Sequence, residues 1–361
     1  MTPGRYRGSL IVWALLLAYA SLYPFVPPRL PSLESAAAFF ARPRYVTTFD
    51  VVLNVLAYVP LGALACLYFR QATSTAGAVL QATALGAAFS FAMESLQLFV
   101  PNRIASIYDV LANAGGALWG ALVFVDPFYS LVTRPLGELR ERIVIPGIWG
   151  DAGLMLLLLW LIAQLNPALP FFGAGNIVGN ADLVGEFAVL QTGAVAMSIC
   201  GFGLFVSALL QGNKGSLRAT LALLSVALWL KFMAASFMLQ PHFAAEWVSV
   251  WRVIGLVAGI AMFVPMRLLR RPARIYLALV LVLAGALFAK IVGAYSAVDE
   301  LLRLFRWPYG QLASFATLTR FLHETWPFLA LAFLIALFFH VRRSKMGDLG
   351  STTLTRSSWT P

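Results

Sequence analysis

The sequence predicts an all-α polytopic transmembrane helix bundle with about ten membrane-spanning helices. Hydrophobic residues make up 60% of the 361 residues, charged residues only 11%, and the mean hydropathy is +0.82. A soluble globular domain carries about 25% charged residues. The composition therefore excludes a soluble enzyme, a disordered chain and a small disulfide-bonded scaffold.

Ten apolar segments are long enough to be expected spans. The hydrocarbon core of a bilayer is about 30 Å thick, and a helix needs about 20 apolar residues to cross it. We expect the first segment to be retained as an anchor, because its apolar residues continue beyond a sequence that resembles a signal-peptidase site. The expected spans lie at 10–26, 50–69, 76–98, 109–125, 150–168, 186–210, 218–240, 248–268, 275–296 and 325–341.

The surplus of cationic residues fits a simple topology. The chain has 26 Lys and Arg against 15 Asp and Glu, a formal net charge of +11. Cytoplasmic loops of membrane proteins are enriched in Lys and Arg. With a cytoplasmic N-terminus, 16 of these cations fall in cytoplasmic segments, 7 in outer segments and 3 within spans. Both termini are therefore expected in the cytoplasm, and nucleic acid is not an expected partner.

A polar connection divides the chain into two helical regions. We expect four helices within residues 1–125, a cytoplasmic connector at 126–149 and a six-helix region at 150–341. The last segment, 342–361, is rich in Ser and Thr and is expected to form a disordered cytoplasmic tail.

Polar side chains gather at the outer ends of three helices in the first region. A charged side chain is costly in hydrocarbon, so such residues usually face a bundle interior or a water-filled cavity. Within each helix the polar residues repeat at helical spacing and form one stripe. The three stripes are expected to line a cavity that opens towards the cell exterior. This polar cluster consists of Asp50, Asn54, Ser90, Glu94, Gln97, Arg103, Asp109 and Asn113.

One cation accompanies three carboxylates in the polar cluster. We expect Arg103 to pair with Glu94 or Asp109, although one guanidinium cannot neutralise every acid. The cluster is therefore either a structural network that pins three helix ends or a site for a ligand or ion, which the surplus of acids favours. The chain has no linear metal motif, and neither a metal nor a cofactor is predicted.

Three further cations lie within expected spans of the second region. They either pair with the acids of the first region or contact the phosphate of an anionic membrane lipid, and both interpretations stay open. These secondary candidates are Lys231, Arg252 and Lys290.

The polar cluster resembles that of a known family. The spaced pattern Asp50-x3-Asn54, Pro60-Leu61-Gly62, Ser90-x3-Glu94-x2-Gln97 and Pro101-x-Arg103-x2-Ser106-x2-Asp109-x3-Asn113-x2-Gly116 resembles the VanZ-like membrane proteins over about residues 45–125. The resemblance implies a multi-pass protein of the bacterial inner membrane in which the matched polar positions form the working site. The family's namesake is associated with low-level resistance to teicoplanin, a lipoglycopeptide that acts on cell-wall precursors. No established catalytic chemistry follows from the resemblance.

These features favour an envelope protein whose outward cavity recognises a lipid-linked or amphiphilic envelope molecule, such as a cell-wall or polysaccharide precursor. Such a protein would affect sensitivity to lipoglycopeptides. One alternative is an enzyme that uses Glu94 or Asp109 on a lipid-linked phosphate or sugar. The other is a secondary transporter, which the unequal division into four and six helices disfavours because it shows no repeated halves.

The expected topology is testable by cysteine labelling. A cysteine at Asn102, in the predicted outer loop, should react with a membrane-impermeant maleimide in intact cells. A cysteine at Arg140, in the predicted cytoplasmic connector, should react only after the inner membrane is permeabilised. The reverse pattern would contradict the predicted orientation.

Overall fold

The computed structural model confirms the all-α fold. The structure describes residues 6–23, 25, 27–41, 48–101, 103–125, 128–174, 177, 186–212, 215–243, 248–293, 298–306 and 311–354. These residues form thirteen α-helices and contain no β-strand. Asn102 and the last part of the expected tail, 355–361, lie outside the described residues.

The chain forms two compact units. The first contains Met1–Glu141 and Tyr309–Leu318, and the second contains Arg142–Pro308 and Thr319–Pro361. The helices, in chain order, are α1 (Arg7–Leu22), α2 (Leu33–Ala38), α3 (Thr48–Phe69), α4 (Thr75–Gln97), α5 (Ile107–Leu122), α6 (Arg134–Ile143), α7 (Gly147–Gln164), α8 (Glu186–Leu209), α9 (Ser216–Met238), α10 (Val250–Met266), α11 (Arg271–Val292), α12 (Val298–Leu302) and α13 (Gln311–Leu354).

Every expected span falls on one of these helices. In the described part of the chain, seven helices are long and apolar enough to cross a membrane: α3, α4, α7, α8, α9, α11 and α13. The other three, α1, α5 and α10, have 16, 16 and 17 residues. The chain is therefore a multi-pass membrane protein, while the count of ten spans stays a prediction. Helix α13 continues to Leu354, beyond the expected end of the last span.

The second unit is built around α8. Within its most apolar stretch, 78% of the residues are buried, because α8 is apolar on all sides and other helices surround it. Aromatic side chains fill the space beside it, with the rings of Trp160 and Phe202 only 4.2 Å apart between centroids. The rings of Phe205 and Trp326 continue this packing at 5.6 Å.

Small residues bring α3, α4 and α5 together in the first unit. The buried face of α4 repeats about every fourth residue and changes from small at one end to polar at the other. On α5, Gly116 lies against the carbonyl of Val55 and Gly120 against that of Val59, with no room for a Cβ atom at either position. Small residues at this spacing let helix backbones approach closely in membranes. The contact aligns the polar ends of the three helices.

Substituting Gly116 with alanine tests this close contact. The added Cβ would meet the Val55 backbone, which cannot turn away as a flexible side chain would. We expect the free energy of unfolding to fall by about 1–3 kcal/mol, measured by thermal unfolding in mild detergent. Gly115 faces open space on the same helix, so Gly115→Ala is the matched control and should be neutral or slightly stabilising. Equal effects of the two substitutions would contradict the close contact of α3 and α5.

Candidate functional site

Three helix ends carry the polar cluster. Asp50 lies in the first turn of α3, Glu94 and Gln97 lie in the last turn of α4, and Asp109 lies in the first turn of α5. Because α4 runs antiparallel to its two neighbours, these ends meet at the same end of the first unit. The structure therefore brings the three predicted stripes together.

Asn54 joins α3 to α5 through Asp109. Its Nδ2 atom donates to Asp109 Oδ1 at 2.8 Å. The carboxylates of Asp50 and Asp109 are close enough for their charges to repel one another. The N-terminal end of α5 favours negative charge at Asp109. In the described residues, the Asp109 carboxylate accepts this single hydrogen bond and has no cationic partner.

Glu94 is a buried carboxylate at the end of α4, with only 4% of its surface exposed. Its Oε2 atom accepts the backbone N–H of Ser106 at 3.0 Å. Ser106 in turn caps α5, because its Oγ accepts the N–H of Tyr108. The negative charge of Asp109 also repels a negative charge on Glu94. Throughout the described part of the chain, Glu94 has no ion-pair partner.

Ser90 and Asn113 join α4 to α5 one turn deeper in the unit. Asn113 Nδ2 donates to Ser90 Oγ at 2.8 Å, and both side chains are buried. Asn113 Oδ1 has no hydrogen-bond partner among the described residues. The buried Tyr58 hydroxyl faces Ser90 without a well-formed hydrogen bond. This part of the cluster therefore holds polar atoms that the protein does not satisfy.

Tyr58 was missed by the sequence analysis, although a signal for it exists. It continues the stripe of Asp50 and Asn54 at the next i+4 position. Tyrosine is classed with the hydrophobic residues of the apolar span, so its polar hydroxyl does not stand out in the sequence.

The expected ion pair of Arg103 with Glu94 or Asp109 is wrong. Arg103 instead donates to the end of α1: its Nη2 and Nε atoms lie 2.8 and 3.1 Å from the carbonyl oxygen of Tyr23, and Nη2 lies 3.4 Å from that of Ala20. The Ser314 hydroxyl accepts a further hydrogen bond. The last carbonyls of a helix have no intrahelical donor, and the planar guanidinium reaches two of them at once. Burial lowers the pKa of Arg103, while the Glu94 charge opposes this effect.

Gln97 also binds the end of α1. Its Nε2 atom donates to the Ser21 carbonyl at 3.0 Å. Gln97 and Arg103 therefore serve the structure of the first unit, whereas the remaining members of the cluster face one another.

The three secondary cations lie in the second unit. Lys231, in α9, is fully buried and donates to the Asn166 carbonyl at 2.9 Å. Arg252, in the first turn of α10, is buried and lines a cavity. Lys290, in the last turn of α11, lies 5.7 Å from the ring centre of Phe328. Their pairing with acids of the first region stays a prediction.

The polar cluster is rich in acceptors and poor in donors. Two carboxylates and an amide oxygen offer lone pairs, while the cluster's cation is directed to α1. No three His, Cys, Asp or Glu side chains in the described ranges are placed to hold a metal ion. The arrangement suits a molecule that brings hydroxyl or amine donors.

Replacing Arg103 distinguishes a helix cap from a charge partner. Lysine keeps the positive charge but lacks the planar guanidinium group, whose N–H groups reach two carbonyl oxygens at once. We expect Arg103→Lys and Arg103→Ala both to lower the free energy of unfolding by about 1–3 kcal/mol, as measured by thermal unfolding in detergent. The matched control is Arg29→Ala, because the Arg29 side chain is exposed in the same unit. Full retention of stability in Arg103→Lys would indicate that charge alone matters.

Residues 9–131 match the family model described as VanZ/LLP1. The match covers about a third of the chain and contains all members of the polar cluster. No curated protein and no solved structure matches the chain. The VanZ-like resemblance of the segment that carries the polar cluster is therefore confirmed.

Proposed function

We propose that the chain is a bacterial inner-membrane protein of the cell envelope whose polar cluster recognises a lipid-linked or amphiphilic envelope molecule. The observation that carries the proposal is the surplus of hydrogen-bond acceptors, of which Glu94 is buried and Asp109 is partly exposed. In the described residues, Glu94 and Asp109 accept one hydrogen bond each, and neither forms an ion pair. A buried carboxylate without a partner is strongly destabilising. A ligand that brings hydroxyl or ammonium donors offsets this cost.

The surroundings of the cluster support an amphiphile. The segment 27–41 packs over the start of α5, where the Ile107 N–H donates to the Phe39 carbonyl at 2.9 Å. Phe39 is buried there, but Leu30 and Leu33 on the same segment are each 91% exposed. Apolar side chains exposed on a membrane protein face hydrocarbon, so an amphiphile bound at the cluster would place its hydrocarbon part there and its polar part at the cluster. Lipid-linked cell-wall and polysaccharide precursors have this chemistry.

The family resemblance supports an effect on teicoplanin sensitivity. The VanZ-like segment contains the whole cluster, and teicoplanin combines sugars with a hydrocarbon chain. Binding of the antibiotic itself, or of the precursor that it attacks, would change the sensitivity of the cell.

The second candidate function is an enzyme that acts on a lipid-linked phosphate or sugar through Glu94 or Asp109. The observation that favours it is the proximity of these two carboxylates, whose charges act on one another. Such a pair can divide the roles of proton donor and acceptor. Conversion of an added lipid-linked substrate to a product of different mass would favour this candidate over binding alone.

Glu94→Gln tests the role of the cluster, because it removes the charge and keeps the shape. We expect the variant to accumulate normally in the membrane, to lose the envelope lipid that co-purifies with the wild type, and to lose any effect on teicoplanin sensitivity. Mass spectrometry of lipids retained in mild detergent and the minimal inhibitory concentration of teicoplanin measure these effects.

The matched control is Glu34→Gln, because Glu34 is an exposed acid of the same unit. It should behave as the wild type. Normal accumulation of Glu94→Gln with unchanged lipid content and unchanged sensitivity would refute recognition by the cluster. Loss of protein from the membrane would instead assign Glu94 a structural role.

A further inference from the structure

Three adjoining cavities lie within the second unit, among α7, α8, α10, α11 and α13. Gly173 and Ala289 contribute to the walls of all three. We call them together the basic cavity. Sequence analysis did not anticipate it, since its walls come from helices that are distant in the chain.

Part of the basic cavity is apolar and aromatic. Trp160, Phe172 and Trp326 line one end, and Phe328 lines the wall beside Lys290. Small residues of α11, among them Ala286, leave the space between these rings open. Ligand pockets are commonly apolar with a few well-placed polar groups. This lining fits a hydrocarbon chain.

Three cationic side chains contribute to the polar part of the walls. Lys290 and Arg320 line one cavity and the buried Arg252 lines the next. Glu324 is the one acid in the described walls, and its Oε1 atom lies 2.8 Å from Arg320 Nε. The basic cavity therefore attracts an anion.

Two buried glutamine residues also belong to the walls. Gln164 and Gln191 line the cavity walls and are only 1% and 6% exposed. In the described residues, neither Oε1 atom has a hydrogen-bond partner. A buried acceptor left without a donor is destabilising. Hydroxyl groups of a bound molecule would supply the missing donors.

We propose that the basic cavity binds an anionic amphiphile with a phosphate group and free hydroxyl groups. The phosphate contacts Arg252, Lys290 and Arg320, the hydroxyls donate to Gln164 and Gln191, and the hydrocarbon part packs against the aromatic rings. All of these residues belong to the second unit, so this binding site is independent of the function proposed for the polar cluster.

Native mass spectrometry of the full-length protein in detergent tests the proposal. Dioleoylphosphatidylglycerol carries a phosphate and free hydroxyls, and it should bind roughly tenfold or more tightly than the zwitterionic dioleoylphosphatidylcholine. Inorganic phosphate is the third compound tested, and it should not displace the bound phosphatidylglycerol. Equal binding of the two lipids would overturn the proposal. Displacement by inorganic phosphate at equal concentration would overturn the requirement for a hydrocarbon part.

Three variants test whether the lipid binds in the basic cavity. Lys290→Gln should weaken phosphatidylglycerol binding roughly tenfold, whereas Arg303→Gln, at an exposed cation outside the walls, should not change it. Gln191→Leu should weaken binding while it preserves or raises thermal stability, because it removes an unsatisfied buried oxygen. Equal losses in Lys290→Gln and Arg303→Gln, or unchanged binding in Gln191→Leu, would show that the lipid binds elsewhere.

Discussion

The free carbonyls at helix C-termini are the constraint on which much of this structure depends. Lipid offers no donor for them, so a membrane protein must supply its own. Here arginine side chains do so repeatedly. Arg103 serves the end of α1, Arg70 binds the carbonyl of Phe124 just after α5, and Arg306 binds that of Leu239 just after α9. At the end of α8, Arg271 and Arg274 bind the carbonyls of Ala208 and Ser207.

This use of arginine changes the meaning of the positive charge. A surplus of cations is expected from membrane orientation, which depends on how many Lys and Arg residues lie on each side of the membrane. The structure adds a local role, the capping of carbonyl groups at helix ends, which depends on the several N–H groups of the planar guanidinium. Arg103 shows the consequence most clearly. It donates hydrogen bonds to the end of α1 and to Ser314, and it forms no ion pair with Glu94 or Asp109 in the described residues.

Periodicity in the sequence was enough to locate the ten apolar helices and most of the polar cluster. Apolar runs mark helices reliably because hydrocarbon leaves the backbone no alternative. The i+4 spacing of Asp50 and Asn54 also places two side chains on one face without tertiary information. The partner of Arg103 was beyond this reasoning, because its loop conformation and the approach of α1 decide it. The basic cavity was equally hidden, since Gln164, Gln191 and Arg320 belong to different helices and share no spacing.

The length of α5 has a consequence for the membrane if α5 is a span, as the sequence predicts. Its 16 residues rise only about 24 Å, against about 30 Å of hydrocarbon in a typical bilayer. Hydrophobic mismatch of this kind is relieved when the bilayer thins around the shorter helix. Lipid headgroups would then be drawn towards Ser106 and Asp109 at the start of α5. Lipids with longer acyl chains would oppose the thinning, so access to these residues would depend on the thickness of the membrane as well as on the protein.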